Sequence, residues 1–164
     1  MKNIFKFAIE FEQENQKFYN DCAAKANNKK LKQVFNRLAE EEKKHEEIIR
    51  DLAKTEEIAK VESDIVNDAK EVFTEVTKDF ATDKGVLPED QLSVYKEALE
   101  LESKSHDYYK EKAAETDDEL VKVTFEKLAI EEKKHENIMH NLVTMVERPK
   151  TWLEDAEWYH HQDY

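Results

Sequence analysis

Glycine and proline are almost missing from this chain, with one Gly and two Pro in 164 residues. Strands joined by tight turns depend on such residues, so a turn-rich β architecture is excluded. Long uninterrupted helices are expected instead, because Glu, Lys, Ala and Leu dominate. Cys22 is the one cysteine, which rules out an internal disulfide framework or a cysteine-rich metal knuckle and points to a reducing, cytoplasmic setting. No apolar run approaches the roughly 20 residues of a membrane span, and no secretory signal is read at the start. Basic residues are in the minority, 26 Lys and Arg against 39 Asp and Glu. The resulting formal charge of −13 argues against nucleic-acid and anionic-membrane partners, whose phosphates repel it.

Four long helical patterns fill most of the chain. The first runs from about Asn3 to Ala26 and is followed by Asn27-Asn28, a pair suited to a helix–helix turn. The second begins near Lys29 and reaches about Lys54. The third follows Leu87-Pro88-Glu89-Asp90, with Pro88 suited to a first helical position. The fourth opens at Thr116-Asp117-Asp118-Glu119, a capping-box pattern, and stops before Arg148-Pro149, since the residue before proline avoids the helical region. Between the second and third helices, residues 55–89 form a crossover. Its stretch Ile65, Val66, Ala69, Val72, Phe73, Val76 and Phe80 reads as an additional amphipathic helix. After residue 147 comes a tail, 148–164, whose two Trp and two Tyr are expected to dock on the bundle or on a second subunit.

An internal repeat organises these elements. Residues 39–46 read AEEEKKHE and residues 129–136 read AIEEKKHE. The same shift of 90 places Glu12 with Glu102, Tyr19 with Tyr109, Phe35 with Phe125 and Leu38 with Leu128. The chain is therefore two related helical hairpins, about 3–54 and 90–147, with a long connection between them. That arrangement resembles the ferritin-like version of the all-α four-helix bundle.

The seam of the second helix is Leu31, Phe35, Leu38, Glu42, His45, Ile49 and Leu52, with steps of 4 and 3 in alternation. This is the spacing of an inward stripe. The fourth helix repeats it with Val121, Phe125, Leu128, Glu132, His135, Met139 and Leu142. A lone Glu-x-x-His in so acidic a chain is unremarkable on a solvated face. Twice at one offset, and both times inside an apolar seam, it requires a reason for burying acids, because an uncompensated buried carboxylate costs several kcal/mol. Glu12 and Glu102 recur at helical spacing with Ala8, Tyr19 and Ala23 and with Ala98, Tyr109 and Ala113, so they point inward at mid-bundle height. Four carboxylates then converge with two imidazoles, and two divalent cations neutralise their formal charge. The donor set suits iron or manganese better than a thiolate-seeking metal. Tyr19 and Tyr109, two turns further on, are expected to hydrogen-bond the metal-binding carboxylates.

Other polar residues read more simply. His106, His140, His160 and His161 have no His counterpart at the shifted positions and are assigned to the surface. Cys22 is assigned to core filling. The Glu40–Glu47 run is a solvated face around its two inward residues. Glu10, Glu100, Glu46 and Glu136 also repeat, either as partners of the site carboxylates, as an acidic route to the site, or as surface pairs.

Within the ferritin-like class the chain resembles the rubrerythrins. The matching residues are Glu12 with Tyr19, Glu42-Lys43-Lys44-His45, Glu102 with Tyr109, and Glu132-Lys133-Lys134-His135, over about residues 3–147. The near-symmetric halves and the Pro149-Lys150-Thr151-Trp152 start of the tail are similar to short rubrerythrin-like proteins. The resemblance implies a non-haem centre of two iron ions per chain, with manganese or a mixed pair as variants, held by Glu12, Glu42, His45, Glu102, Glu132 and His135. It further implies reduction of hydrogen peroxide to water in oxidative-stress defence, and a homodimer. Rubrerythrins proper carry a cysteine-rich rubredoxin domain, so here the electrons are expected from a separate donor protein such as a rubredoxin. The alternative is a ferritin-like ferroxidase or iron-storage protein reacting with dioxygen. One departure bears on the choice. The family tends to place a further carboxylate, used in redox-linked ligand exchange, three residues after the third-helix Glu, where this chain has Ser105, with Asn15 as its counterpart.

Overall fold

The computed structural model describes residues 3–54, Phe73 and residues 91–149. Four helices account for nearly all of them: α1 (Asn3–Lys25), α2 (Lys29–Lys54), α3 (Leu92–Glu115) and α4 (Glu119–Glu147). None of these four helices contains Gly or Pro, so no proline interrupts their backbone ladders. α1 packs along α2 and α3 along α4 as two hairpins, and these meet through α1 against α3 and α2 against α4. The molecule is an all-α, ferritin-like four-helix bundle.

The hairpin loops, residues 26–28 and 116–118, themselves obey the 90-residue shift. Asn28 Oδ1 accepts from Lys30 N at 2.9 Å and Leu31 N at 3.2 Å. Asp118 Oδ1 accepts from Leu120 N at 3.0 Å and Val121 N at 3.2 Å. Each satisfies two amides that the first helical turn leaves without carbonyls. The N-cap of α4 is thus Asp118 rather than the Thr116 of the capping-box reading. Thr116 Oγ1 instead accepts from Asp118 N, bracing the loop. α3 begins at Leu92, capped by Gln91 without a side-chain bond, and so later than the expected start at Pro88, which lies outside the described residues. Most of the crossover and the tail from residue 150 also lie outside them. Phe73 is the exception: it is helical and fully buried.

The core consists of two apolar clusters with a polar layer between them. One holds Tyr19, Cys22 and Ala23 of α1, Leu31 to Ala39 of α2, Phe73, Tyr95 and Ala98 of α3, and Ile138 to Val146 of α4. The other holds Phe5 to Ile9, Ile48 to Leu52, Tyr109 and Ala113, and Val121 to Ala129. The shift of 90 exchanges them: Phe35 meets Tyr95 in one, with rings 5.5 Å apart, and Phe125 meets Phe5 in the other, at 6.2 Å. Burying these faces drives helix association at roughly 25 cal/mol per Å² of apolar surface. Between the clusters each helix contributes buried polar residues: Glu12 and Asn15, Glu42 and His45, Glu102 and Ser105, Glu132 and His135. No helix among the described residues is long and apolar enough to cross a membrane.

Phe125 is fully buried, so Phe125→Ala should lower the unfolding free energy by about 3–5 kcal/mol. Chemical denaturation will read this as an earlier midpoint at unchanged slope.

Candidate metal centre

The structure brings the six residues selected from the seams into one layer, each at most 1% exposed. Their polar atoms form two overlapping groups, Glu12, Glu42, His45 and Glu132, and Glu42, Glu102, Glu132 and His135. Within each group the donor atoms lie within 4.8 Å of one another. Glu42 and Glu132 belong to both groups. Adding or subtracting 90 converts one group into the other, so the two are related by the pseudo-twofold of the repeat.

Each imidazole turns its Nδ1 onto three carboxylates. His45 Nδ1 lies 3.1 Å from Glu132, 3.3 Å from Glu42 and 3.6 Å from Glu12. His135 Nδ1 lies 2.8 Å from Glu42, 3.7 Å from Glu132 and 3.8 Å from Glu102. The rings stack on each other, 5.4 Å apart and 13° from parallel. The tyrosines cross over between hairpins: Tyr19 of α1 donates to Glu102 of α3, and Tyr109 of α3 donates to Glu12 of α1. Burial, then the charge of the paired carboxylate, pushes both phenols well above their usual range, so they stay protonated donors. Where the two halves face each other, Asn15 Nδ2 donates to Ser105 Oγ at 3.3 Å, and both side chains are buried.

Like charges at this density must be compensated, and without a cation protons do it. Burial pushes Glu42 well above the carboxylate range, helped by Glu102 and Glu12. Burial raises Glu132 as well, helped by Glu12 and Glu42. Glu12 moves the other way: His45 overcomes the upward push of burial and holds it at about 2. His45 in turn is raised, since the attraction of Glu12 and Glu132 outweighs burial. Burial and His45 push His135 down, against the pull of Glu102 and Glu41. Glu42 and His135 Nδ1 lie within hydrogen-bonding distance, at 2.8 Å. One oxygen each of Glu12, Glu42, Glu102 and Glu132 stays buried without a hydrogen-bond partner. Unsatisfied carboxylate oxygens converging in a dry layer fit a pair of hard or borderline cations, and the mixture with imidazole suits iron or manganese.

The surroundings of the layer contain residues that seam reasoning left out. Glu131 is 1% exposed and accepts from Lys134 Nζ at 2.8 Å. Glu41, 90 residues earlier, is half-buried and joins His45 and His135 in a third group. Their recurrence at the common offset was the available signal. His106 is half-buried, not superficial, and its Nδ1 donates to the Ala129 carbonyl of α4 at 2.8 Å. Its counterpart Gln16 makes the corresponding tie in the first hairpin, donating to Glu46 at 2.6 Å, and Gln13 and Arg50 also bond Glu46. Glu10 and Glu100 are exposed, as is His140. Cys22 is buried, and burial pushes its thiol to about 12, so it is inert packing. His160 and His161 lie outside the described residues.

Metal must displace the protons that the raised Glu42, Glu132 and His45 retain. Zinc binding should therefore release protons, and affinity should weaken as pH falls through the raised values, because protons then compete better for the same atoms. Calorimetric titrations in two buffers of different ionisation enthalpy should give different apparent heats. Equal heats would mean that these three groups are already deprotonated.

A family model described as rubrerythrin matches residues 3–143, which takes in all four helices up to the last turn of α4 and every residue of the polar layer. No curated protein and no solved structure gives a significant match. With most of its length covered by that family model, the chain belongs to the rubrerythrin family, a ferritin-like di-iron family.

Proposed function

We propose that this protein holds two iron ions, one in each four-residue group, and reduces hydrogen peroxide to water with electrons from a separate donor protein. Glu42 and Glu132 are the shared carboxylates, Glu12 and His45 complete one position, and Glu102 and His135 complete the other. Rubrerythrin-family proteins are di-iron oxidoreductases in general; the peroxidase reaction is our reading for this chain. The observation that carries it is the equivalence of the two groups, each with three carboxylates and one imidazole Nδ1. A bound iron pair supplies two electrons in total, which matches the two-electron, two-proton reduction of a peroxide O–O bond to two waters.

The chain's own residues supply positioning and exclusion of water. The two apolar clusters close the layer on both sides, which strengthens electrostatic attraction inside it. Tyr19 and Tyr109 hold Glu102 and Glu12 by hydrogen bonds from the opposite hairpin. Fixing ligand direction from an outer partner raises metal affinity. With one cysteine, this sequence lacks the paired cysteines of a rubredoxin site, and the donor in this reading is a separate protein, for which a rubredoxin is suited.

A second reading, oxidation of iron by dioxygen as in a ferroxidase, is favoured by one observation. Asn15 and Ser105 are uncharged and bonded to each other, so neither position offers a carboxylate to exchange with a ligand. The two readings part on the oxidant. When the anaerobic Fe(II)-loaded protein is mixed in a stopped-flow instrument, oxidation by peroxide should be much faster than by dioxygen. Faster reaction with dioxygen and accumulation of ferric mineral would replace the peroxidase by the ferroxidase. Glu42→Ala and Glu132→Ala each remove a carboxylate common to both groups. Each should weaken metal binding by more than the roughly 10–100-fold lost on removing an outer partner. Metal content after dialysis reads this directly, and unchanged content would refute the assignment of the ligands.

A further inference from the structure

A neutral imidazole has one nitrogen lone pair and one N–H. Both rings in the layer aim Nδ1 at the carboxylates that form the two groups. A metal bound there takes the Nδ1 lone pair, so the hydrogen must sit on Nε2. The Nε2 atoms of His45 and His135 are both buried without a hydrogen-bond partner. A buried donor of this kind calls for an acceptor, and a metal-binding histidine commonly gives its second N–H to a carboxylate.

Glu41 is the carboxylate nearest to hand for that role among the described residues outside the four glutamates of the layer. It precedes His45 by one turn of α2, so the two side chains share a face. One of its carboxylate oxygens lies within 4.8 Å of a nitrogen on each of His45 and His135. Its half-buried position at the rim of the layer admits a bridging water where the separation exceeds a direct bond. A carboxylate has acceptor sites for two donors at once, and the two rings lie stacked beside each other. The repeat does not duplicate this contact. Glu131, the counterpart at the shift of 90, is fully buried and accepts from Lys134 Nζ at 2.8 Å.

Glu41, His45 and His135 can also be read as a third cation site. The lone-pair accounting decides against it: with both Nδ1 atoms committed to the metal pair, a cation beside Glu41 meets two N–H groups and no nitrogen lone pair.

We propose that Glu41 is a positioning residue whose carboxylate accepts the Nε2 hydrogens of the stacked His45–His135 pair, directly or through one water, and so fixes Nδ1 of both rings as the metal-facing nitrogen. This rests on the two-metal reading above.

Zinc, which is diamagnetic, separates the two claims. Wild-type stoichiometry is measured first. Failure to bind two zinc ions per chain sinks the two-metal reading and this inference with it. Given two zinc ions, long-range proton–nitrogen NMR should find His45 and His135 as Nε2–H tautomers with slowly exchanging protons. Glu41→Ala should weaken zinc binding about 10–100-fold in chelator competition and speed exchange of the Nε2 protons. Glu41→Gln, whose amide oxygen still accepts, should restore most of both. Wild-type affinity and exchange in Glu41→Ala would overturn the inference. So would Glu41→Gln behaving like Glu41→Ala, which would assign the effect to charge alone. A third zinc ion bound by the wild type and lost in Glu41→Ala would establish the cation site instead. If Glu41→Ala fails to fold, the wild-type tautomers and the Glu41→Gln variant decide alone: Nδ1–H tautomers in the wild type overturn the inference.

Discussion

Four carboxylates share a layer that water does not reach, and everything else in the bundle is arranged around that cost. Removing an ion from water costs several kcal/mol even after relaxation, and the apolar clusters on both sides leave no solvent to soften repulsion among Glu12, Glu42, Glu102 and Glu132. Burial and neighbouring charges raise Glu42 and Glu132, and against its burial the neighbouring carboxylates raise His45. These shifts favour the protonated forms, and two tyrosines add hydrogen bonds. The compensation is incomplete, because one oxygen of every one of the four carboxylates has no hydrogen-bond partner. A layer in that condition fits divalent cations, each of which would satisfy several of these oxygens at once. The apolar plugs therefore serve chemistry as well as folding: the same burial that joins the helices sets the electrostatics of the layer.

The 90-residue repeat explains why the layer contains two overlapping donor groups rather than one. Each hairpin contributes one inward Glu from its first helix and a Glu-His pair from its second. Neither hairpin can balance its own acids, and only their pairing produces the shared carboxylates Glu42 and Glu132. The crossed tyrosine bonds have the same logic, each hairpin orienting the terminal carboxylate of the other. Symmetry is broken at the rim rather than at the centre. Gln16 faces Glu46 where His106 faces a backbone carbonyl, and Glu41 faces the imidazoles where Glu131 accepts from Lys134. Two chemically equal positions thus sit inside unequal surroundings.

What could be read from the sequence follows from the range of the forces involved. Helix extents and the six inward residues come from periodicity along single helices, and the structure places all six in one layer. Tyr19 and Tyr109 were placed by the same periodicity, although their crossing to the opposite hairpin was not visible in either helix alone. Features set between helices are not legible along a single helix. Glu131 adjoins the inward Glu132 and lies off the seam, yet it is buried. His106 finds its acceptor on a different helix, at Ala129. The α4 cap is Asp118, whose Oδ1 takes Leu120 N and Val121 N, while Thr116 Oγ1 takes the Asp118 amide instead. The crossover helix and the aromatic tail lie almost wholly outside the described residues, so their readings remain sequence-based.

Asn15 and Ser105 carry the last step. Both are buried where the two hairpins face each other, and they spend their polarity on one another. Neither can take up negative charge or reach a cation as a carboxylate does, so these two positions add nothing acidic to the donor set. If the proposed cation pair changes oxidation state, neither side chain can supply it with a further anionic ligand. The orientation of the imidazoles then matters in both oxidation states. Control of the centre then passes from ligand replacement to what fixes the ligands: the crossed tyrosines on Glu12 and Glu102, and the carboxylate of Glu41 beside the stacked rings.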